Sequence, residues 1–330
     1  MTGPRWGLFW LVGLAMVLGG CASGPALEAG GLGGALEAPP RHAWPAGRPV
    51  PVVLDADTAN EIDDLFAIAY ALPDSSVEVL GLTSAQWFHV WSGDSTVYQS
   101  QRLNEDLLAL AGRTDLPHPL GADVAMGAPW GGREPRDSPA ARFIVEQARA
   151  RPPGERLAVV ALGATTNVAS ALALAPDIRD KVVVYLLGFQ YDAERGVWDK
   201  DEFNIRRDLN AANFLLDLEG LELHVMPTTV ARQATWSRED TFRRLGRAGA
   251  MGVYLRAAWE RRFPEYDTWV MWDVALVQAV FTPEWATETA VATPPENVAR
   301  RVWTYTDVDE DAMARAFWSR LENAYGPAGD

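Results

Sequence analysis

From about residue 49 the apolar positions come in short β-branched or leucine-rich runs. Each run is followed by a polar loop and then by a stretch with helical spacing. VPVVLDAD reads as a strand entering a loop, and DLFAIAYAL as the helix behind it. VEVLGLTSA is a second strand, RLAVVALGA leads into the helical TTNVASALALA, and KVVVYLLGF and LELHVMPTT are further strands. Strands alternating with helices predict an α/β fold, an open and mostly parallel sheet flanked by helices on both faces. With no internal repeat and no second linker, residues 49–330 read as a single domain. Open parallel sheets bind ligands at the carboxyl ends of their strands. The acidic segment DADTANEIDD, LTSAQWFH, GATTN and GFQYD all fall at such ends, so the site is expected there.

The residues before this pattern have a different character. Arg5 is followed by WGLFWLVGLAMVLGG, an apolar run of signal-peptide length and short of the ~20 residues a membrane span needs. It ends at Leu18-Gly19-Gly20-Cys21, which resembles a bacterial lipobox, so residues 1–20 are expected to be removed and Cys21 to be lipidated. Acyl chains at roughly 0.8 kcal/mol per buried CH₂ would hold the chain on a membrane. Residues 21–48, rich in Gly, Ala and Pro, then read as a flexible tether. The expected location is the cell envelope, and Ala22 after the cysteine favours the outer membrane where the host has one.

Composition narrows the function classes. The chain is 48% hydrophobic and 22% charged, enough for a sizeable core. A net charge of −15 argues against nucleic acid as a partner. Cys21 is the single cysteine, so no disulfide within the chain supports the exported domain. The 14 tryptophans suit either a core or the walls of a binding cleft.

DADTANEIDD places five acidic residues within ten positions: Asp55, Asp57, Glu61, Asp63 and Asp64. Acids are favoured at a helix N-terminus, but one suffices for that. Several in a poorly solvated cleft repel one another by several kcal/mol. A hard divalent cation resolves the conflict, and an oxygen-only ligand set favours Ca²⁺ or Mg²⁺ over zinc.

The strand-end DxD, the following DD and the apolar helix resemble the N-terminal signature of the inosine–uridine-preferring nucleoside hydrolase superfamily. The usual spacing of three residues between the second Asp and the DD pair is five here (Thr58 to Ile62), an "NEIDD" form associated with a divergent branch. VVALGATTNVASAL, DEFNIRRDLNAA and MWDVALVQAV resemble three further segments of that family, in the same order. The resemblance implies a Rossmann-like nucleoside hydrolase fold and a calcium ion held by Asp57, Asp64, the Thr166 carbonyl and Asp273. It implies Asp57 as general base, and Asp63, Glu202 and Asn204 on the ribose hydroxyls. Asp55 and Asn60 would support the loop from behind the metal.

Three departures concern the aglycone end. Trp272 stands where the family often has a His before the last Asp, and it can stack on a base but not readily protonate one. AQWFHVW offers Gln86, Trp87, Phe88 and His89 where an Asn usually follows the second strand, and GVWDK has no Asn upstream of the EFN segment. His89 is then the candidate leaving-group acid, with a surface or core position as the plainer alternative. Trp198 is a stacking wall or core. Arg206 and Arg207 are expected to balance acidic neighbours.

The function expected is calcium-dependent hydrolysis of an N-glycosidic bond in a ribonucleoside or related riboside. The alternative is a lipid-anchored calcium- and riboside-binding protein that has lost turnover. A haloacid-dehalogenase-type phosphatase is a weaker reading, because Ala59 replaces the Thr or Val of its motif. An EF-hand fails on spacing. The partners expected are a small-molecule riboside and the membrane through the N-terminal lipid alone, with a homo-oligomer as one option.

Overall fold

The computed structural model describes residues 41–327. The predicted signal segment, Cys21 and most of the tether lie outside them. In chain order the strands are β1 Val50–Ala56, β2 Val77–Ser84, β3 Leu157–Ala161, β4 Val182–Leu187, β5 Gln190–Asp192 and β6 Val197–Asp199. They continue with β7 Glu222–Met226, β8 Thr235–Ser237, β9 Thr268–Val270, β10 Ala286–Ala292 and β11 Arg301–Val308. The helices are α1 Asp63–Ala71, α2 Thr96–Leu110, α3 Pro139–Arg149, α4 Thr166–Leu174, α5 Phe203–Arg207 and α6 Leu209–Asp217. After them come α7 Thr228–Ala231, α8 Arg238–Leu245, α9 Gly249–Arg262, α10 Trp272–Phe281 and α11 Glu310–Tyr325.

Seven strands form one sheet in the order β10-β11-β7-β4-β3-β1-β2. Every neighbouring pair is parallel except β10 with β11, an antiparallel edge that strand–helix alternation does not reveal. The central strands β3 and β4 are buried along their whole length, because helices cover both faces. One face packs Phe66, Tyr70, Leu276 and Phe317 of α1, α10 and α11. The other packs Ile144, Val168 and Leu215 of α3, α4 and α6. Two short hairpins, β5-β6 and β8-β9, stand outside the sheet.

The strand order fixes where a ligand can go. From β1 the chain moves outward to β2 and then returns across β1 to β3. The loops leaving β1 and β3 therefore diverge, and this topological switch point opens a crevice at their carboxyl ends.

The end of the stretch expected to be a tether is part of the body. His42 N–H donates to Glu222 Oε1 at 2.7 Å, and the Trp44 indole N–H donates to Tyr185 Oη at 3.3 Å. Arg41 pairs with Glu288 and lies over the Trp303 ring. Composition alone cannot register these partners, which come from strands about 140 or more positions away. Among the described residues, no helix is long and apolar enough to cross a membrane.

Candidate active site

β1 delivers Asp55 and Asp57 to the switch point, and a turn through residues 58–62 returns the chain to start α1 on Asp63 and Asp64. Asp57 is only 2% exposed. It lies against Gly163 beyond β3, where an added Cβ would come within 2.6 Å of Asp57 Cγ. The glycine of GATTN thus lets two strand ends approach closely enough to share a site.

A fifth acid comes from the opposite end of the domain. Asp273 lies in the first turn of α10, and its backbone N–H donates to Asp63 Oδ2 at 3.1 Å. That bond ties the N-termini of α1 and α10 together and brings two positive dipole ends to the cluster. Asp63, Asp64 and Asp273, all buried, offer carboxylate oxygens within 4.8 Å of one another.

Such crowding disfavours ionisation. Burial, followed by repulsion from Asp64, Asp63 and Glu61, raises Asp57 well above the ordinary carboxylate range. Asp273 is raised likewise, by burial and then by Asp64, Asp63 and Asp57. Burial pushes Asp63 up to about 6, and burial with the Asp63 charge pushes Asp64 up to about 8. Asp57 Oδ2, Asp64 Oδ1 and Asp273 Oδ1 are buried without a hydrogen-bond partner. Leaving charged oxygens in that state costs several kcal/mol each. A hard cation with oxygen ligands fits this donor set, since it would satisfy all three atoms at once.

A positive side chain also reaches the loop, and its sequence position gives no hint of it. Arg262, at the last turn of α9, donates from Nη1 to the Thr58 carbonyl at 3.3 Å and from Nη2 to the Ala59 carbonyl at 2.6 Å. Its charge favours ionisation of Asp64 and of Glu61.

Above the cluster is a cavity of about 250 Å³. Asp57, Asn60, Glu61, Asp63, Asp64 and Asp273 line one side of it, with Trp272 at α10. Glu202, Phe203 and Asn204 line the other. Glu202 caps α5: its Oε2 accepts from Ile205 N–H at 3.1 Å and from Phe189 N–H at 3.3 Å. Phe189 holds a left-handed backbone (φ 64°), an uncommon conformation for a large residue, and donates to the Glu202 carboxylate from it. Asn204 Nδ2 is held by the carbonyls of Leu162 at 2.7 Å and Leu187 at 3.3 Å. Each side chain is therefore fixed through one atom, as a preorganised binding site requires.

Not every expected residue reaches the cavity. The Thr166 side chain is buried and does not line the cavity, its hydroxyl donating to Asp208 Oδ2 at 2.6 Å and accepting from Gln86 Nε2 at 3.3 Å; the expectation concerned its backbone carbonyl, on which these side-chain bonds do not bear. Trp198 is outside too: its indole N–H donates to the Ala292 carbonyl at 2.8 Å, and its ring packs on Tyr191 and Phe189 beside the β10 edge. His89 sits in the loop after β2, edge-on to the Phe203 ring at 6.2 Å and off the cavity lining. Asp55 lies beneath the site, accepting from Thr83 Oγ1 at 2.6 Å and Asn167 Nδ2 at 2.8 Å. Burial raises it to about 6. Asn60 lies at the lining rather than behind it. Glu61, read in sequence only as part of the acidic segment, also faces the cavity, because the longer turn carries it there.

Comparison with known proteins identifies the family. Residues 52–320 match the family model of the inosine-uridine preferring nucleoside hydrolases. A probable uridine nucleosidase of Arabidopsis thaliana is 30% identical over 226 residues, 62% of this chain and 67% of that protein. A pyrimidine-specific ribonucleoside hydrolase of Escherichia fergusonii is 28% identical over 218 residues, 60% of this chain and 67% of that one. In fold, the chain is similar to a purine-preferring ribonucleoside hydrolase from Gardnerella vaginalis. The TM-score is 0.64 at 21% identity, covering 83% of this chain and 99% of that one. The chain belongs to the inosine-uridine preferring nucleoside hydrolase family, hydrolases of N-glycosyl bonds. That membership sets aside the phosphatase reading.

Proposed function

We propose that this nucleoside hydrolase family member cleaves the N-glycosidic bond of a ribonucleoside or related riboside in a calcium-dependent reaction. The observation that supports this most directly is the set of buried, unpartnered oxygens of Asp57, Asp64 and Asp273 at the floor of a cavity walled by Glu202 and Asn204. Those three carboxylates would hold the ion, and Asp63, already committed through one oxygen to Asp273 N–H, would add to its charge. When bound, calcium orients a water and lowers its pKa.

The remaining steps belong to the chain. Asp57 accepts a proton as the water adds to the anomeric carbon. The C–N bond breaks with its electron pair leaving on the base, which takes up a proton. Glu202 and Asn204, with Asp63, grip the sugar hydroxyls and hold the ring at its attack geometry. Trp272 supplies a stacking face for an aromatic base.

Metal analysis of the purified protein, with ribose release assayed before and after chelation, tests the proposal. One tightly held calcium per chain with chelator-sensitive release supports it, and release that survives chelation overturns its calcium dependence. The second reading, a binding protein without turnover, is favoured by one feature: Trp272 occupies the position beside Asp273 from which a His would assist the leaving base. Riboside binding without release from a nucleoside panel would select it. We also propose export and lipid anchoring at Cys21. Fatty-acid labelling that disappears in Cys21→Ala supports this, and labelling that persists refutes it.

A further inference from the structure

Beyond the wall formed by Phe203 lies a second depression, a groove of about 790 Å³. Its character is opposite to that of the acidic cavity. Arg136, Arg206 and Arg207 line it together with Phe88, Trp130 and the backbone of residues 124–131. Asp208 is the acidic residue of this lining, and its carboxylate is already engaged by Met126 N–H at 2.8 Å, Ala211 N–H at 2.9 Å and the Thr166 hydroxyl. Two of the arginines are committed as well. Arg136 donates to the carbonyls of Ala125 and Gly127, and Arg206 pairs with Asp201 at 2.9 Å.

Arg207 is different. Among its nitrogens, Nη1 makes one long bond to the Phe88 carbonyl at 3.3 Å, while Nε is buried with no partner. Its guanidinium lies 4.6 Å from the centroid of the Phe203 ring, and that same residue lines the acidic cavity. One five-residue helix, α5, thus presents Phe203 and Asn204 to the cavity and Arg206 and Arg207 to the groove. Trp130 is 89% and Phe88 46% exposed, large apolar surfaces left open to solvent at the groove.

We propose that the groove is a subsite for the phosphate of a phosphorylated riboside whose sugar occupies the acidic cavity, so that nucleotides are bound in preference to nucleosides. The inference rests on the riboside reading of the cavity and adds the substrate class. Charge decides the placement. A cavity carrying Asp57, Glu61, Asp63, Asp64, Glu202 and Asp273 repels a phosphate even with one dication present. An anionic extension is therefore tolerated only where the lining reverses sign, and that happens one ring-width away at Arg207. Arg207 makes a single long bond, so its terminal nitrogens remain able to meet phosphate oxygens in the groove, and a guanidinium fork can offer two parallel bonds. Phe88 and Trp130 supply faces for an aromatic portion beyond the phosphate.

The test is calorimetric binding of adenosine and AMP to the full chain with calcium present, for the wild type, Arg207→Gln and Arg207→Lys. The wild type should bind AMP at least tenfold more tightly than adenosine. Arg207→Gln should erase that difference without changing adenosine binding, and Arg207→Lys should keep part of it. Equal wild-type affinities for the two ligands would overturn the proposal without recourse to a variant. So would a loss in Arg207→Gln shared equally by both. Ribose and ribose-phosphate release, assayed in parallel, separates this from the catalytic reading. An Arg207-dependent AMP preference without any release leaves the subsite standing and removes the hydrolase activity, whereas release without the preference does the reverse.

Discussion

Arg262 donates to the Ala59 carbonyl at 2.6 Å and so fastens the acidic loop to the end of a helix 203 positions away in sequence. The loop between the DxD and DD pairs is two residues longer than the usual family spacing, and its backbone would otherwise be free to bow away from the carboxylates it carries. The same guanidinium brings a positive charge to a cluster of like charges. It does part of the neutralising that a bound cation would do, without occupying the cation's position.

Replacing Arg262 with Gln is therefore expected to hurt the metal-free protein more than the calcium-loaded one. A loss of about 2 kcal/mol for a buried charged hydrogen-bonding group corresponds to a fall in melting temperature of roughly 4–8 °C for a domain of this size. The melting temperatures of wild type and variant, with calcium and with chelator, check this. An equal drop in both states would mean that Arg262 acts on packing alone.

Asp57→Asn keeps the shape of the side chain against Gly163 but cannot take a proton. The turnover number should fall by roughly 10² to 10⁴, with the melting temperature of the metal-free protein unchanged or raised. Steady-state ribose release decides it. Near-normal turnover would remove Asp57 from the role of base.

Asp273→Ala deletes an unpartnered buried oxygen and leaves the backbone bond from Asp273 N–H to Asp63 in place. Calcium affinity should drop at least tenfold while the helix contact survives. Titration calorimetry with calcium measures the loss directly, and an unchanged dissociation constant would show that the ion sits elsewhere.

Gly163→Ala inserts a methyl 2.6 Å from Asp57 Cγ. Overpacking of this kind costs about 1–3 kcal/mol, and here the strain falls on a single functional carboxylate. Activity should therefore fall further than stability. A variant with wild-type kinetics and a lowered melting temperature would contradict the close approach.

The raised carboxyls give the metal-free protein an unusual pH dependence. Asp63 titrates at about 6 and Asp64 at about 8 in the folded chain, against ordinary values near 4 when unfolded. Between those limits the folded state holds protons that the unfolded state has released. The stability of the chelated protein is therefore greatest toward pH 4 and declines as pH rises through 6 and 8. Calcium competes with the same protons, so the melting-temperature gap between loaded and chelated protein should widen from pH 5 to pH 8. Paired thermal melts across that range check it, and a gap that narrows with pH would refute it.

Much of this protein was legible in its sequence because the relevant signals are local. The apolar runs ending in DAD, GATTN and GFQYD gave β1, β3 and β4 and placed their loops on one rim, since a parallel sheet sends all its carboxyl ends the same way. The acidic segment pointed to a cation site because five carboxylates within ten positions repel one another wherever the fold buries them together. Tertiary structure decided the rest. It turned the Thr166 hydroxyl, though not the carbonyl the resemblance singles out, toward Asp208, carried Trp198 to the β10 edge and left His89 behind the Phe203 wall, each through a partner contributed by another segment. It also brought in Arg262 and placed Arg207 in a groove outside the acidic cavity. A side chain's neighbours across the fold depend on the three-dimensional path of the chain, and no window of sequence contains both partners.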